Sequence, residues 1–321
     1  MLKIIIIIVN YKTAELACKC IDSIVKKKSN KYEVSILIVD NNSMDGSGEI
    51  LLHKAGIASS QVSIKYISSS FNGGYAYGNN LAINYINKKG MDFDYLWLLN
   101  PDTEIKSGAD EALVDVLQNN TEIGICGSQL QDYDGGIQIS AFRFPNVISE
   151  ILSALKLGFL DDLFKSYKGI CEMSPVPMRV DWVAGASMMI KSSVLQKLPE
   201  MDEKFFLYYE EVDYCFNVKN HGWECWYVPQ SIVIHHVGAA TGISDMRKKA
   251  PRRPTYWFDS RRRYFIKNNG KISTFITDVV FIICFSLWRL RRRIQNKDDL
   301  DPPMFLWDYL KNSVICKGFR I

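Results

Sequence analysis

Apolar and polar positions along the first 130 residues follow two periods in alternation. Residues 4–9 (IIIIIV), 35–39 (SILIV) and 95–99 (YLWLL) are short apolar runs, and residues 62–67 alternate with a β-branched bias. Between them, residues 15–28 repeat apolar positions at helical spacing through Leu16, Cys20 and Ile24. Residues 48–55, 75–87 and 107–118 read as helices too. Continuous apolar runs suit strands buried on both faces. Strands alternating with helices, closed by a further strand at 123–127, predict βαβ units and a doubly wound, mostly parallel α/β sheet. The opening "MLKIIIIIVNYK" is too short for a secretory signal or a membrane span, so it reads as a buried first strand.

The middle of the chain is less regular. Asp134-Gly135-Gly136 predicts a hairpin over 131–140. A fairly apolar helix is expected over 148–165, two short strands around Gly185 over 179–191, a helix over 210–220, and strands at 224–228 and 232–235. After about Gly242 basic and aromatic residues take over, which divides the chain into residues 1–245 and a helical extension over 246–321.

In a sheet of this kind, ligands bind beyond the carboxyl ends of the strands. Asn10-Tyr11, Asp40-Asn41-Asn42, residues 68–74 and residues 100–104 stand there, so four strands deliver polar groups to one rim. Asp102 and Glu104 offer hard oxygen ligands for a divalent ion such as Mg2+ or Mn2+; the alternative for Asp102 is an "NPD" turn or a helix cap, and the five-residue gap to the helix near Ser107 disfavours direct capping. Asp40 can accept from a pyrimidine ring N–H or bond its own turn. Gly73 and Gly74 precede a helix whose N-terminus suits phosphate. The loop after the first strand, "NYKT", carries no dinucleotide-binding glycines. Glu210, Glu211 and Asp213 open a helix behind "FFLYY". They are ordinary partners of a helix dipole, or a desolvated general base. His235 and His236 end a strand and suit a metal or a structural role.

Composition changes little of this. The net charge of +4 does not imply nucleic acid, and "YWFDSRRRY" has no nucleic-acid module around it. Eight cysteines without a CxxC pair read as reduced, small apolar residues.

Taken together, "VNY", "VDNNSMDGS", "NGGYAYGNN", "LLNPDTE", "DWVAGASMMI", "FFLYYEEVDYCF", "GWECWYVP" and "IHHVGAATG" resemble glycosyltransferase family 2, in its rhamnosyltransferase-like branch, over roughly residues 3–270. The resemblance implies a GT-A fold, a Rossmann-like nucleotide-binding domain. It implies that Asp40 reads the base and that Asn10 and Tyr11 lie beside the nucleotide. Asn42, Asn72, Gly73, Gly74, Asn79 and Asn100 fall on the same donor side. Asp102 matches the last acid of a DxD metal motif whose first acid is here Asn100. Glu211 takes the place of the catalytic base, with Glu210 and Asp213 as rivals. His235 resembles a later metal or diphosphate ligand, with His236 as its rival. Trp182, Gly185 and Ala186 match the acceptor side. The implied reaction is inverting transfer of a sugar from a nucleotide diphosphate, dTDP-rhamnose or a UDP-sugar, to a polyprenyl-diphosphate-linked surface glycan on the cytoplasmic face of the inner membrane. A homodimer stays open. So does a catalytically inactive scaffold, although a dead copy has no physical reason to keep Asp102, Glu211 and His235 together. A sugar-phosphate nucleotidyltransferase would want a Gly- and Arg-rich loop where "NYKTAELACK" stands.

In the extension, residues 272–288 are apolar but contain Asp278. Flanking arginines and Trp288 at the interface predict a helix lying on an anionic membrane, ahead of packing on protein and of a span.

Overall fold

The computed structural model describes residues 1–57, 62–236 and 250–321, the Asp161 side chain excepted. The elements run β1 (Leu2–Asn10), α1 (Ala14–Lys27), β2 (Tyr32–Asp40), α2 (Ser47–Gly56), β3 (Ser63–Ser68), α3 (Gly74–Lys89), β4 (Tyr95–Leu99), β5 (Thr103–Ile105), α4 (Ala109–Asn119) and β6 (Ile123–Gln131). There follow β7 (Ala141–Phe142), α5 (Val147–Leu155), α6 (Gly158–Leu163), β8 (Met178–Val180), β9 (Trp182–Val183), β10 (Ser187–Lys191), α7 (Ser192–Lys197), α8 (Glu210–Asn220) and β11 (Glu224–His235). The chain closes with α9 (Thr255–Asn269), α10 (Lys271–Ile294), α11 (Phe305–Asn312) and α12 (Val314–Lys317).

Two compact units result. The first comprises residues 1–142, 172–206 and 210–242; the second comprises 143–171, 207–209 and 243–321. The boundary expected at 245/246 falls outside the described residues, and the helical unit also takes in residues 143–171.

The α/β unit is built on one sheet in the order β3-β2-β1-β4-β10-β6-β11-β5, with β8 on β11. Strands β1 to β4 pair in parallel, as do β6 and β11. Ile4 to Ile8 are nearly inaccessible, as a strand covered on both faces requires. Strand β10 is inverted: it pairs antiparallel with both β4 and β6. It therefore brings its beginning, not its end, to the edge where β1, β2 and β4 finish, with Ser187 opposite Leu99. Gly185 and Ala186 reach the rim for this reason.

The structure departs from the pattern in four places. The strands expected at 224–228 and 232–235 are one strand, β11, whose register slips between Val228 and Ile232; Pro229, without an N–H, sits at the irregularity. The helix expected over 148–165 ends at Leu155, where Lys156 turns left-handed, and resumes as α6. Three strands, not two, occupy 178–191. Strand β5 and helix α7 carry too few residues to show a period.

In the helical unit, α10 packs a stripe of Phe281, Cys284, Phe285 and Trp288 against Ala154, Phe258 and Tyr309. At its centre Arg261 donates to Glu150 (3.1 Å from Nε) and to Asp278 (2.8 Å). Asp278 also accepts from the Tyr309 hydroxyl and the Val314 N–H. Trp288 is buried and donates to Asp301 at 3.0 Å, so it is not the interfacial anchor expected from the sequence.

Candidate active site

The register Asn10↔Asp40↔Ser68 levels the ends of β1, β2 and β3, and the rim begins there. The Asn10 amide donates to Asp40 Oδ1 (2.8 Å) and Ser43 Oγ (3.2 Å), and its Oδ1 accepts from Thr13. Ser43 donates its hydroxyl to Asp40 Oδ1 and its N–H to Oδ2 (3.2 Å). Asn10 thus spends its polar atoms on shaping the loop, while Asp40 is held in a fixed pose by its own turn. Lys12, Asn42 and Met44 adopt left-handed φ of 58°, 58° and 53°, and Tyr11 is left exposed beside them.

Next along the rim, Asn41 donates to Asn72 Oδ1 (3.0 Å) and to the Gly74 carbonyl (2.9 Å), while its own Oδ1 is buried without a partner. Gly74 has φ of +87°, and a Cβ there would fall 1.8 Å from the Phe206 carbonyl oxygen, which accepts the Tyr75 N–H. A Cβ on Gly73 would strike the Tyr77 ring. The two glycines serve close packing between α3 and the segment ahead of α8. Asn79 donates to the Tyr75 carbonyl, and its Oδ1 too is buried and unpartnered.

Tyr75 then links the start of α3 to the loop ahead of β10. Its hydroxyl donates to the Gly185 carbonyl at 2.8 Å. A Cβ on Gly185 would lie 3.6 Å from both the Tyr75 ring and Glu211 Cβ. Ala186 accepts the Asn100 N–H at 3.1 Å, which ties the same loop to the end of β4. Trp182 stands further off, stacked on Phe142 with centroids 4.0 Å apart.

The start of α8 is not an ordinary dipole site. Glu210 is buried, and the Oε2 atoms of Glu210 and Glu211 are both inaccessible and without hydrogen-bond partners. Burial, reinforced by the neighbouring Glu211, pushes Glu210 well above the usual carboxylate range. Burial pushes Glu211 up to about 7, against the opposing backbone N–H groups of the helix start. Asp213 differs: its carboxylate accepts from Asn217 one turn on.

Asp102 occupies a tight turn, with the Thr103 N–H donating to the Asn100 carbonyl, and is buried. It does not cap α4, whose cap is Gly108. Its Oδ1 has no hydrogen-bond partner and lies 3.5 Å from His235 Nε2. Gln138 explains the imidazole. Its amide nitrogen is committed to the His235 carbonyl (2.8 Å) and Asp132 (2.6 Å), so its Oε1 faces His235 Nδ1 at 3.0 Å. Nδ1 therefore carries a proton, and in the neutral imidazole the lone pair of Nε2 faces the lone pairs of Asp102. Two acceptors converging in a buried place suit a divalent cation. His236 instead turns its ring to Glu104 at 3.1 Å. Among the described residues no third His, Cys, Asp or Glu joins the pair, so further ligands would be oxygens of the substrate.

A family model for glycosyl transferase family 2 matches residues 4–171. An N-acetylglucosaminyl-diphospho-decaprenol L-rhamnosyltransferase of Mycobacterium tuberculosis is 26% identical over 65% of this chain and 68% of its own. The rhamnosyltransferase WbbL of Escherichia coli is 26% identical over 72% and 82%. Among solved structures, the mannosyltransferase PcManGT of Pyrobaculum calidifontis, in complex with GDP-Man and Mn2+, superposes with a TM-score of 0.56 at 10% identity, covering 91% of this chain and 74% of that one. A GalNAc-T7 chain solved with UDP, GalNAc and Mn2+ gives 0.53 at 16% identity, covering 73% of this chain but only 44% of its own length. The architecture is the GT-A arrangement that the sequence motifs imply.

Proposed function

The chain belongs to glycosyl transferase family 2, and we propose that it transfers L-rhamnose from dTDP-rhamnose, with inversion, to a hydroxyl of a polyprenyl-diphosphate-linked glycan. The observation that carries the reaction type is the pair of buried, unpartnered carboxylate oxygens of Glu210 and Glu211, beside the Gly185–Ala186 loop that is hydrogen-bonded to Asn100 at the Asp102 turn. The two rhamnosyltransferase relatives support the donor sugar, and the decaprenol-linked substrate named for one of them supports the acceptor class. Such an acceptor and a nucleotide-sugar donor would meet at the cytoplasmic face of a membrane.

In this reading the nucleotide lies over the loops of Asp40 and Asn42, with Tyr11 beside it. The rim from Asn72 to Asn79 and Asn100 holds the sugar, and the unpartnered Asn41 and Asn79 oxygens accept from its hydroxyls. A divalent cation, Mg2+ or Mn2+, held by Asp102 and His235 would neutralise charge on the diphosphate leaving group. Glu211 takes the proton of the acceptor hydroxyl. Its raised pKa suits it to that exchange near neutral pH. The freed oxygen attacks the anomeric carbon from the face opposite the diphosphate, the bond to the diphosphate breaks, and configuration inverts. Glu210, kept protonated by burial, leaves one negative charge in the pair instead of two. Gly185 leaves room beside Glu211 for the incoming alcohol, with Ala186 and Trp182 on the acceptor side.

The test is transfer from dTDP-rhamnose to a synthetic polyprenyl-diphosphate acceptor. The wild type forms product and Glu211→Gln does not, although both bind dTDP. Full turnover by Glu211→Gln removes the residue from this role. Binding without turnover by the wild type marks a different donor or an inactive scaffold.

A further inference from the structure

We propose that the outward face of α10 docks onto an anionic lipid bilayer, with the helix lying in the plane of the surface. The proposal rests on the lipid-linked reading above for its purpose, and on the helical unit alone for its evidence.

Helix α10 has two stripes. The inward one holds Thr274, Thr277, Asp278, Phe281, Cys284, Phe285 and Trp288, all buried and three or four residues apart. The outward one holds Ile272, Phe275, Ile276, Ile283, Leu287, Leu290 and Ile294, between 46% and 79% exposed. Asp278, the residue that argues against a membrane span when the helix is read as a string, lies on the inward stripe with the two threonines. The outward stripe repeats exposed apolar side chains from Ile272 to Ile294, unlike the single exposed apolar side chains that any soluble surface carries.

Charge selects the occupant. Residues 250–321 carry fifteen Lys and Arg against six Asp, while the whole chain nets only +4. The stripe is bracketed by exposed Lys271 at one end and by exposed Arg293 and Lys297 at the other. A second copy packed face to face about a two-fold axis would set these cations against one another; an anionic bilayer neutralises them. The remaining arginines of the run are occupied: Arg289 and Arg292 pair with Asp299, and Arg291 donates to the carbonyls of Leu155 and Lys156.

Length and composition alone would let α10 cross a membrane. The inward stripe opposes that orientation. Asp278 is tied to Arg261, Tyr309 and the Val314 N–H, and Trp288 to Asp301. A span would have to break a buried ion pair and carry its carboxylate into hydrocarbon. Docking buries the outward stripe and leaves those contacts intact.

The test is flotation of the full chain on phosphatidylcholine vesicles with and without about 30 mol% phosphatidylglycerol. The wild type floats with the anionic vesicles and little with the neutral ones. Combining Ile276→Glu, Ile283→Glu and Leu287→Glu lowers the bound fraction at least about tenfold, and Arg293→Glu with Lys297→Glu removes the preference for anionic lipid. Both variants keep the wild-type melting temperature and the wild-type rate on a water-soluble acceptor analogue. Equal flotation of the apolar variant, resistance of the wild type to alkaline extraction, or a dimer in solution that the apolar variant splits would each overturn the proposal. Lost flotation with transfer intact sinks the docking face alone; lost transfer with flotation intact sinks only the proposed reaction.

Discussion

At the start of α8, Glu210 and Glu211 sit side by side in a buried place with no ion pair to either. In the helical unit, Glu150 and Asp278 sit around Arg261, and nearly every oxygen of the group has a donor. Both are pairs of desolvated acids close in space. One is bridged by a guanidinium and joins α5, α9, α10 and α11 into a unit. The other has only backbone N–H groups and a proton to relieve it. Burying a charge without a partner is expensive, so the second arrangement belongs where a ligand or a reaction uses it. The same contrast holds more widely: Asn41 Oδ1, Asn79 Oδ1 and Asp102 Oδ1, the other unpartnered buried amide and carboxylate oxygens among the described residues, all lie in the α/β unit.

Breaking the two pairs has opposite consequences. The largest expected effect is on transfer: Glu211→Gln lowers it by about 10²–10⁴-fold, the usual contribution of a positioned general base, while dTDP binding measured by calorimetry stays within error of wild type. Next is stability. Arg261→Met leaves Glu150 and Asp278 without their cation and costs about 3–5 kcal/mol in denaturant unfolding, whereas Glu210→Gln stabilises the fold at pH 8. The sign follows from the raised pKa. Unfolded Glu210 ionises near the ordinary carboxylate value, but folded Glu210 holds its proton well above it. The folded state then binds the extra proton, so wild-type stability falls as pH rises through that window. Glu210→Gln removes that loss, and its advantage vanishes below about pH 4.

A smaller effect concerns rate against pH. Transfer rises as Glu211 ionises, with its midpoint at about 7, and Glu210→Gln leaves that midpoint nearly in place because Glu210 is already neutral there. A midpoint below pH 5 in the wild type would show Glu211 to be solvated and the contrast between the pairs to be false. The smallest is Tyr75→Phe, which removes the hydrogen bond to the Gly185 carbonyl and costs about 1 kcal/mol.

The parallel half of the sheet and its rim are legible in the sequence because each depends on local periodicity and on where an apolar run stops. Asn10, Asp40, Asn100 and Asp102 sit at those stops. What the sequence hides depends on pairing between distant segments. Strand β5 has three residues and exists because β11, about 130 positions away, pairs with it. Gln138 sets the His235 tautomer from 97 residues upstream and looks like any hairpin glutamine. Tyr75 reads as the first turn of a helix, and only the inversion of β10 brings Gly185 to its hydroxyl. Asn41, although named with its neighbours at the strand end, shows its unpartnered oxygen only once Asn72 and Gly74 are placed beside it. Trp288 misleads for a related reason: a tryptophan beside arginines suggests an interface until Asp301 is found at its indole N–H.

The most direct test of the rim is titration of dTDP into the wild type and Asp102→Asn, with and without Mn2+. Mn2+ should strengthen binding to the wild type at least about tenfold and leave Asp102→Asn unchanged. Equal enhancement in both proteins would contradict the placement of cation and diphosphate at Asp102 and His235.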